Sequence, residues 1–304
     1  MEEKQEKSLL VFSGFIIKIL AFFFMTLDHV GALLQYSVGE NYWLGITFRF
    51  LGRLALPLFC FMIAEGVVHS KRPGHYFLRL GIMGTFISLA LYLIVGVINN
   101  HPDINGGLSF LRSQGNIFMD LLLGALAVYC LKQEKWYFKL LVIFPIAFAI
   151  TSFIVTCLES AEPGLLIHWF PYFLRPQYHI YSVGMIICFY LVRYLSDLFI
   201  KQYSNNSGIS FESVKGSIFE RKVLNILSMG VVVTLTLLYF VTSLLIPSSW
   251  VYWMSGIQNA AIVSGAFLLL YNGKRGYNAK WFQYGSYLYY PLHILIIFGI
   301  ALLI

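Results

Sequence analysis

The sequence predicts an all-α fold, a polytopic transmembrane helical bundle of about nine helices, with eight to ten as the range. Of the 304 residues, 59% are apolar and only 12% are charged, roughly half the charged share of a soluble domain. Apolar runs of about 20 residues also recur along the whole chain. Because the hydrocarbon layer offers no water to backbone amides, these runs must be helical; a barrel would show alternating strands of about ten residues.

Apolar runs separated by polar breaks predict the helices, within one domain that covers residues 1–304. The runs lie near residues 12–34, 43–69, 76–98, 116–131, 136–158, 179–199, 220–246, 250–271 and 281–304. The stretch 161–174 is too short to cross and is rich in aromatic residues, which predicts an interfacial or re-entrant piece; its full insertion would give an even number of spans. The longest polar break predicts a cytoplasmic loop at 200–219.

The positions of the basic residues predict the orientation of the bundle. Of the 21 lysines and arginines, all but Arg49, Arg53, Arg112 and Arg175 lie at one set of alternate helix ends. Because basic residues accumulate on the cytoplasmic side, we expect a cytoplasmic N-terminus, a first helix that stays as an anchor, and a location in a bacterial inner or plasma membrane. The net charge of +7 then reflects orientation and not nucleic-acid binding. The four cysteines lie in apolar runs without metal-ligand spacing, so we expect no metal site.

Ionisable residues inside the apolar runs are few and lie at one depth. They are Asp28 and His29 in the first helix, Arg49 and Arg53 in the second, Asp120 in the fourth and His179 at the start of the sixth. A charge in the bilayer core costs about 2.5–3.5 kcal/mol, so each needs a partner or a function. Arg49 and Arg53 share one helical face and could hold an anionic group, or could pair with Asp28 and Asp120 in salt bridges that only stabilise the bundle. We expect Asp28 to pair with an arginine and His29 to face a cavity.

Three further sets of polar residues are candidates for a site. Asn116 shares a helical face with Asp120, and His293 shares one with Tyr289 in the last helix. Glu65 and His69 end the second run and are followed by Lys71, Arg72 and Arg79. Such a basic turn suits either lipid phosphates or a phosphorylated donor.

Several of these residues lie in segments that resemble the TraX family. The similar segments are Leu27-Asp28-His29-Val30-Gly31, the run 50–59 that contains Arg53, the stretch from Ala64-Glu65-Gly66 to Leu80, Asn116-Ile117-Phe118 with 121–124, and 287–293. The family is named for the enzyme that acetylates the N-terminus of F-pilin, and it is related to multi-span acyltransferases that modify surface sugars. The resemblance implies acyl transfer from acyl-CoA, and marks Asp28, His29, Arg49, Arg53, Glu65, Asn116 and His293.

Acyl transfer needs a base for the acceptor and positive donors for the oxyanion. We hypothesise that His29 is the base, that Arg49 and Arg53 polarise the donor, that Asp28 supports them, and that His293 or Asp120 positions the acceptor. Acetyl-CoA, or another acyl-CoA, would be the co-substrate, with its phosphates on His69, Lys71, Arg72 and Arg79. The candidate substrate-binding residues are Asn116, Asp120, His179 and Glu65.

The sequence leaves the acceptor open among a peptide amine, a glycan and a lipid head group, and does not distinguish direct transfer from an acyl-histidine. Two rival functions use the same charged residues. One is a transporter or proton-coupled channel, and the other is a membrane assembly factor without catalytic activity.

Overall fold

The computed structural model describes residues 10–36, 42–100, 115–162, 165, 167–245 and 256–303, and these residues are helical apart from turns and one isolated bridge between Phe12 and Tyr271. We number the α-helices in chain order. They are α1 (Gly14–Tyr36), α2 (Tyr42–Gly52), α3 (Ala55–His69), α4 (Pro73–Asn100), α5 (Ile117–Lys132), α6 (Trp136–Leu140), α7 (Ile143–Ala161), α8 (His179–Ser207), α9 (Phe211–Val214), α10 (Ile218–Ser243), α11 (Ser264–Leu269) and α12 (Lys280–Leu303).

The prediction of an all-α, multi-span membrane protein is confirmed. Each of the nine predicted runs contains helix, and within the described residues six helical segments are long and apolar enough to cross a membrane: Gly14–Gln35, Tyr42–His69, Pro73–Gly96, Trp136–Ala161, Tyr172–Ser207 and Ile218–Ser243. The other three runs correspond to α5, to the shorter apolar helix Gly256–Leu269, and to α12.

Two connections differ from the simplest interpretation of the sequence. Within the stretch 200–219, where the sequence predicts a cytoplasmic loop, α8 continues to Ser207 and is capped by Gly208, which has φ 69°. Backbone hydrogen bonds sustain a helix beyond the apolar part of its sequence, so polarity alone misplaces the helix end. The described residues of 161–174 form the end of α7, turns and a 3₁₀ turn at Tyr172–Leu174, with no spanning helix among them.

Three glycines allow α1 and α2 to lie in backbone contact. A Cβ on Gly31 would lie 2.7 Å from the Arg49 backbone nitrogen, one on Gly45 would lie 2.6 Å from that of Gln35, and one on Gly52 would lie 2.6 Å from Asp28 Cα. No larger residue fits at these positions without moving a helix. This close contact places Asp28 beside the break between α2 and α3, where Arg53 lies.

The central helix is α3, which packs against α1, α5 and α8 and forms much of the apolar core. Its C-terminal end lies where the predicted cytoplasmic helix ends gather, and we term this the basic end. Here Phe12 N donates to Leu270 O (2.9 Å) and Gly14 N to Lys274 O (2.8 Å), so the start of α1 is fixed to the loop before α12. Lys132 at the end of α5 donates to Val68 O at 2.8 Å.

Candidate active site

Five of the predicted site residues meet inside the bundle toward the end opposite to the basic end. We term them the histidine–arginine cluster: Asp28 and His29 from α1, Arg49 from α2, Arg53 from the turn before α3, and His293 from α12. Arg49, Arg53 and His293 are buried, and Asp28 is largely so. The cluster therefore joins residues from both ends of the chain.

The expected pairing of Asp28 with an arginine is confirmed. Arg53 Nη2 donates to Asp28 Oδ1, and Arg49 Nε lies 3.9 Å from the same oxygen. Arg49 Nη1 also donates to Gln35 Oε1 at 2.8 Å. Arg53 Nε donates to the Arg49 carbonyl at 3.3 Å, and Arg53 Nη1 donates to the Tyr178 hydroxyl at 3.2 Å. These bonds use three of the five N–H hydrogens of Arg53 and fix its guanidinium plane.

His29 and His293 form a hydrogen-bonded pair whose tautomers follow from their carbonyl partners. His293 Nδ1 lies 2.9 Å from Tyr289 O, and because a carbonyl only accepts, this nitrogen donates. His293 Nε2 is then an acceptor, 3.0 Å from His29 Nδ1. His29 Nδ1 also lies 3.0 Å from Met25 O, so it bears a proton shared between two acceptors. In neutral His29 the other nitrogen, Nε2, has no proton and can accept one.

Aromatic and hydroxyl side chains surround the pair, and sequence reasoning missed most of them. The His293 ring stacks on Tyr289 with centroids 5.2 Å apart, and the Tyr289 hydroxyl lies 2.6 Å from Thr26 Oγ1. Tyr290 meets the His29 ring edge-on at 6.1 Å. Tyr178 and Tyr290 gave no signal in the sequence, because tyrosine is common throughout this chain.

Asn116 and Asp120, which were predicted to bind substrate, make several hydrogen bonds within the protein. Asn116 caps α5 by accepting from Phe118 N (2.9 Å), and its amide donates to Gly84 O (2.6 Å) and to a serine on α4. Asp120 is fully buried and accepts from two backbone N–H groups in the turn 177–178 and from Ser182 Oγ. Asp120 therefore fixes the turn before α8, whereas the Asn116 side chain joins the start of α5 to α4.

His179 and Glu65, also predicted as substrate-binding residues, lie apart from the cluster. His179 Nδ1 lies 2.8 Å from Ser152 Oγ, and its ring lies beside Phe153, so this side chain faces α7. Glu65 pairs with Arg193 near the basic end. The sequence did not reveal which face of α8 the His179 side chain occupies.

The predicted donor-binding residues lie together at the basic end. His69, Lys71 and Arg72 are exposed, and the Arg79 guanidinium lies over the Tyr284 ring at 5.1 Å. The 15 residues of α3 separate this group from the cluster by roughly 22 Å. Two separate polar regions therefore lie at different depths of the bundle. Among the described residues, no group of three or more histidine, cysteine, aspartate and glutamate side chains could hold a metal ion.

The protein family described as "TraX protein" matches residues 13–205. This region is nearly two thirds of the chain and includes every residue of the cluster except His293. The chain belongs to the TraX family. It is also 34% identical over 139 residues to a probable fimbrial assembly protein, FimC of serogroup H1, from Dichelobacter nodosus. That match covers 45% of this chain and 54% of the relative, so the chain spans about half the length of the relative it matches. No solved structure matches this TraX-family protein.

Proposed function

We propose that this TraX-family protein is an integral-membrane acyltransferase, which moves an acetyl group from acetyl-CoA to an amine or hydroxyl of a membrane or cell-surface acceptor. The observation that supports it most directly is the joint position of a proton-accepting histidine nitrogen and two buried arginines. Transfer from a thioester needs both kinds of group in one place.

In the proposed reaction, His29 Nε2 takes the proton of the acceptor while the acceptor nitrogen or oxygen forms a bond to the thioester carbonyl carbon. The carbonyl π pair moves onto oxygen, where Arg53 N–H groups stabilise the charge. When that pair returns, the carbon–sulfur bond breaks, and His29 gives its proton to the leaving thiolate. The bond from His29 Nδ1 to Met25 O and His293 Nε2 keeps Nε2 directed to the acceptor and stabilises the imidazolium that forms between the two transfers.

The basic end suits the phosphates of the donor. Lys71 and Arg72 are exposed cations immediately before α4, and Arg79 lies in the second turn of that helix, with its guanidinium over the Tyr284 ring. Arginine and lysine donate charge-assisted hydrogen bonds to phosphate. With a cytoplasmic basic end, coenzyme A would bind from the cytosol and its extended arm would bring the acyl group along α3 to the cluster.

The fimbrial relative favours a surface peptide among the possible acceptors, because its name assigns it to fimbrial assembly. A peptide N-terminus and a glycan hydroxyl both present a proton that His29 could remove. We therefore keep both chemistries in the test.

The experiment is transfer of radiolabelled acetyl from acetyl-CoA into membranes that contain wild type, Arg53→Ala or the control Arg275→Ala. Arg275 is an exposed arginine outside the cluster. The labelled product is separated into protein, lipid and glycan fractions, and the abundance of each variant is measured by immunoblot. If wild type and Arg275→Ala incorporate the labelled acetyl group and Arg53→Ala does not, the proposal is supported, and the labelled fraction identifies the acceptor class. No label in any fraction, with abundant protein and supplied acceptors, would overturn it in favour of transport.

A further inference from the structure

Tyr178 contacts the histidine–arginine cluster, although the sequence gave no indication that it would. It lies in the turn immediately before α8, and its hydroxyl accepts a hydrogen bond from Arg53 Nη1 at 3.2 Å. Arg53 is the same residue that holds Asp28. The tyrosine hydroxyl therefore borders the proposed reaction centre beside the Arg53 guanidinium.

The backbone of this turn is fixed by α5. Asp120 Oδ1 accepts from Tyr178 N at 2.9 Å, and Asp120 Oδ2 accepts from Gln177 N. Asn116 N donates to Arg175 O at 2.7 Å. A Cβ on Gly115 would lie 2.8 Å from Gln177 Cα, so the start of α5 lies against the turn with no space between them. Tyr178 is consequently presented from a rigid support, as preorganised catalysis requires.

The hydrogen bond from Arg53 determines what the Tyr178 hydroxyl can do. A phenol that accepts from a guanidinium still has its own proton to donate, and the positive charge makes that proton a stronger donor. We propose that Tyr178 is a catalytic hydrogen-bond donor to the thioester carbonyl oxygen, and that Asp120 is a positioning residue that acts through Tyr178. This inference rests on the acyl transfer proposed above.

In that step the acceptor lone pair forms the new bond to carbon, and the carbonyl π pair moves onto oxygen. Tyr178 O–H and Arg53 N–H donate to this oxygen. As the carbon–sulfur bond breaks, the pair returns to the carbonyl and the thiolate leaves with the proton from His29. Tyr178 keeps its proton throughout, so the step needs no further reactant.

The first test is Tyr178→Phe, which removes only the hydroxyl. Loss of one oxyanion donor lowers kcat by about 10²–10³-fold, while KM for acetyl-CoA changes by about twofold or less, since the bond strengthens in the transition state. The matched control is Tyr181→Phe, one turn further along α8, whose buried hydroxyl bonds to Thr236 Oγ1 at 2.8 Å. We expect Tyr181→Phe to keep wild-type kcat. A Tyr178→Phe kcat within about threefold of wild type would overturn the proposal.

The positioning role of Asp120 is tested by a double-mutant cycle. Asp120→Asn preserves the side-chain volume but weakens the hold on the turn, so kcat falls with KM little changed. If Asp120 acts through Tyr178, the double variant has the kcat of Tyr178→Phe alone. Multiplicative losses would show that Asp120 acts independently and would overturn its positioning role. If the wild-type protein transfers no acetyl group, both this inference and the proposed function are overturned. If the wild type is active and Tyr178→Phe is equally active, only this inference is overturned.

Discussion

His29 Nδ1 and His293 Nε2 lie 3.0 Å apart, although 264 residues separate them in the chain. One turn of helix away, Thr26 Oγ1 and the Tyr289 hydroxyl form a second link between the same two helices at 2.6 Å. Both links join α1 to α12, so a residue of α12 completes the surroundings of the proposed base. The region that matches the TraX family includes His29 but ends before α12.

His29 and His293 are expected to differ in their effect on acyl transfer. His29→Ala removes the proton acceptor and lowers kcat by about 10²–10⁴-fold. His293→Ala removes only one of the two acceptors of the His29 Nδ1 proton, and Met25 O still selects the tautomer, so we expect a loss of about tenfold. The measurement is the initial rate of acetyl transfer per mole of protein.

His168→Ala is the control for these variants, because His168 is exposed and lies outside the cluster. It should keep wild-type activity. Full activity in His29→Ala at normal abundance would exclude His29 as the base, and equal losses in both histidine variants would mean that the pair acts as one unit.

Asp28 is expected to be the most important single residue for the stability of the cluster. Asp28→Asn leaves the buried guanidinium groups of Arg49 and Arg53 without their shared carboxylate. Removing one partner of a buried ion pair typically costs about 3–5 kcal/mol, so the thermal midpoint in detergent should fall by many degrees. The comparison is Asp197→Asn, which breaks an exposed pair with Lys215 and should cost about 1 kcal/mol or less. If Asp28→Asn and Asp197→Asn lowered the thermal midpoint equally, the burial of the Asp28 ion pair would be refuted.

The sequence predicted the helices and the central ion pair because both follow from the cost of polar groups in lipid. Apolar length defines a span, and Asp28 must find a cation such as Arg53. The orientation of the Asp120 side chain could not be predicted from the sequence, because it accepts hydrogen bonds from backbone N–H groups in a turn 57 and 58 residues further along the chain. The link to His293 was equally hidden, because neither helix reveals its neighbour in a single sequence.

The close contact of α1 with α2 predicts a strong effect of a single methyl group. Gly52→Ala would place a Cβ 2.6 Å from Asp28 Cα, so the helices must separate and the Asp28–Arg53 bond must lengthen. We expect a loss of about 1–3 kcal/mol in stability, together with reduced activity. Gly96→Ala in α4 is the control, because nothing lies within 4 Å of its Cβ and alanine favours helix. The measurements are the thermal unfolding midpoint and the rate of acetyl transfer. If Gly52→Ala changed neither, the close contact between α1 and α2 would be contradicted.

The predicted orientation can be tested by chemical labelling. Lys71 lies at the basic end and Glu162 follows α7 at the opposite end, and both are exposed. With a cytoplasmic basic end, a membrane-impermeant maleimide should label Glu162→Cys in intact cells, and should label Lys71→Cys only after permeabilisation. Wild type reports any labelling of the native cysteines. The reverse pattern would invert the bundle and would exclude a cytosolic donor at Lys71.

The basic end is expected to determine donor affinity and not the chemical step. Replacing Lys71, Arg72 and Arg79 together by alanine should raise KM for acetyl-CoA by roughly 10–100-fold with little change in kcat, because their bonds to phosphate are equal in the ground and transition states. Lys139→Ala is the matched control, since Lys139 is an exposed lysine near the same end on α6. Acetyl-pantetheine, which lacks the phosphates, should be used equally well by wild type and the triple variant. A triple variant that also loses activity with acetyl-pantetheine would show that these residues support the fold or the reaction centre, and would remove the reason to place the donor phosphates there.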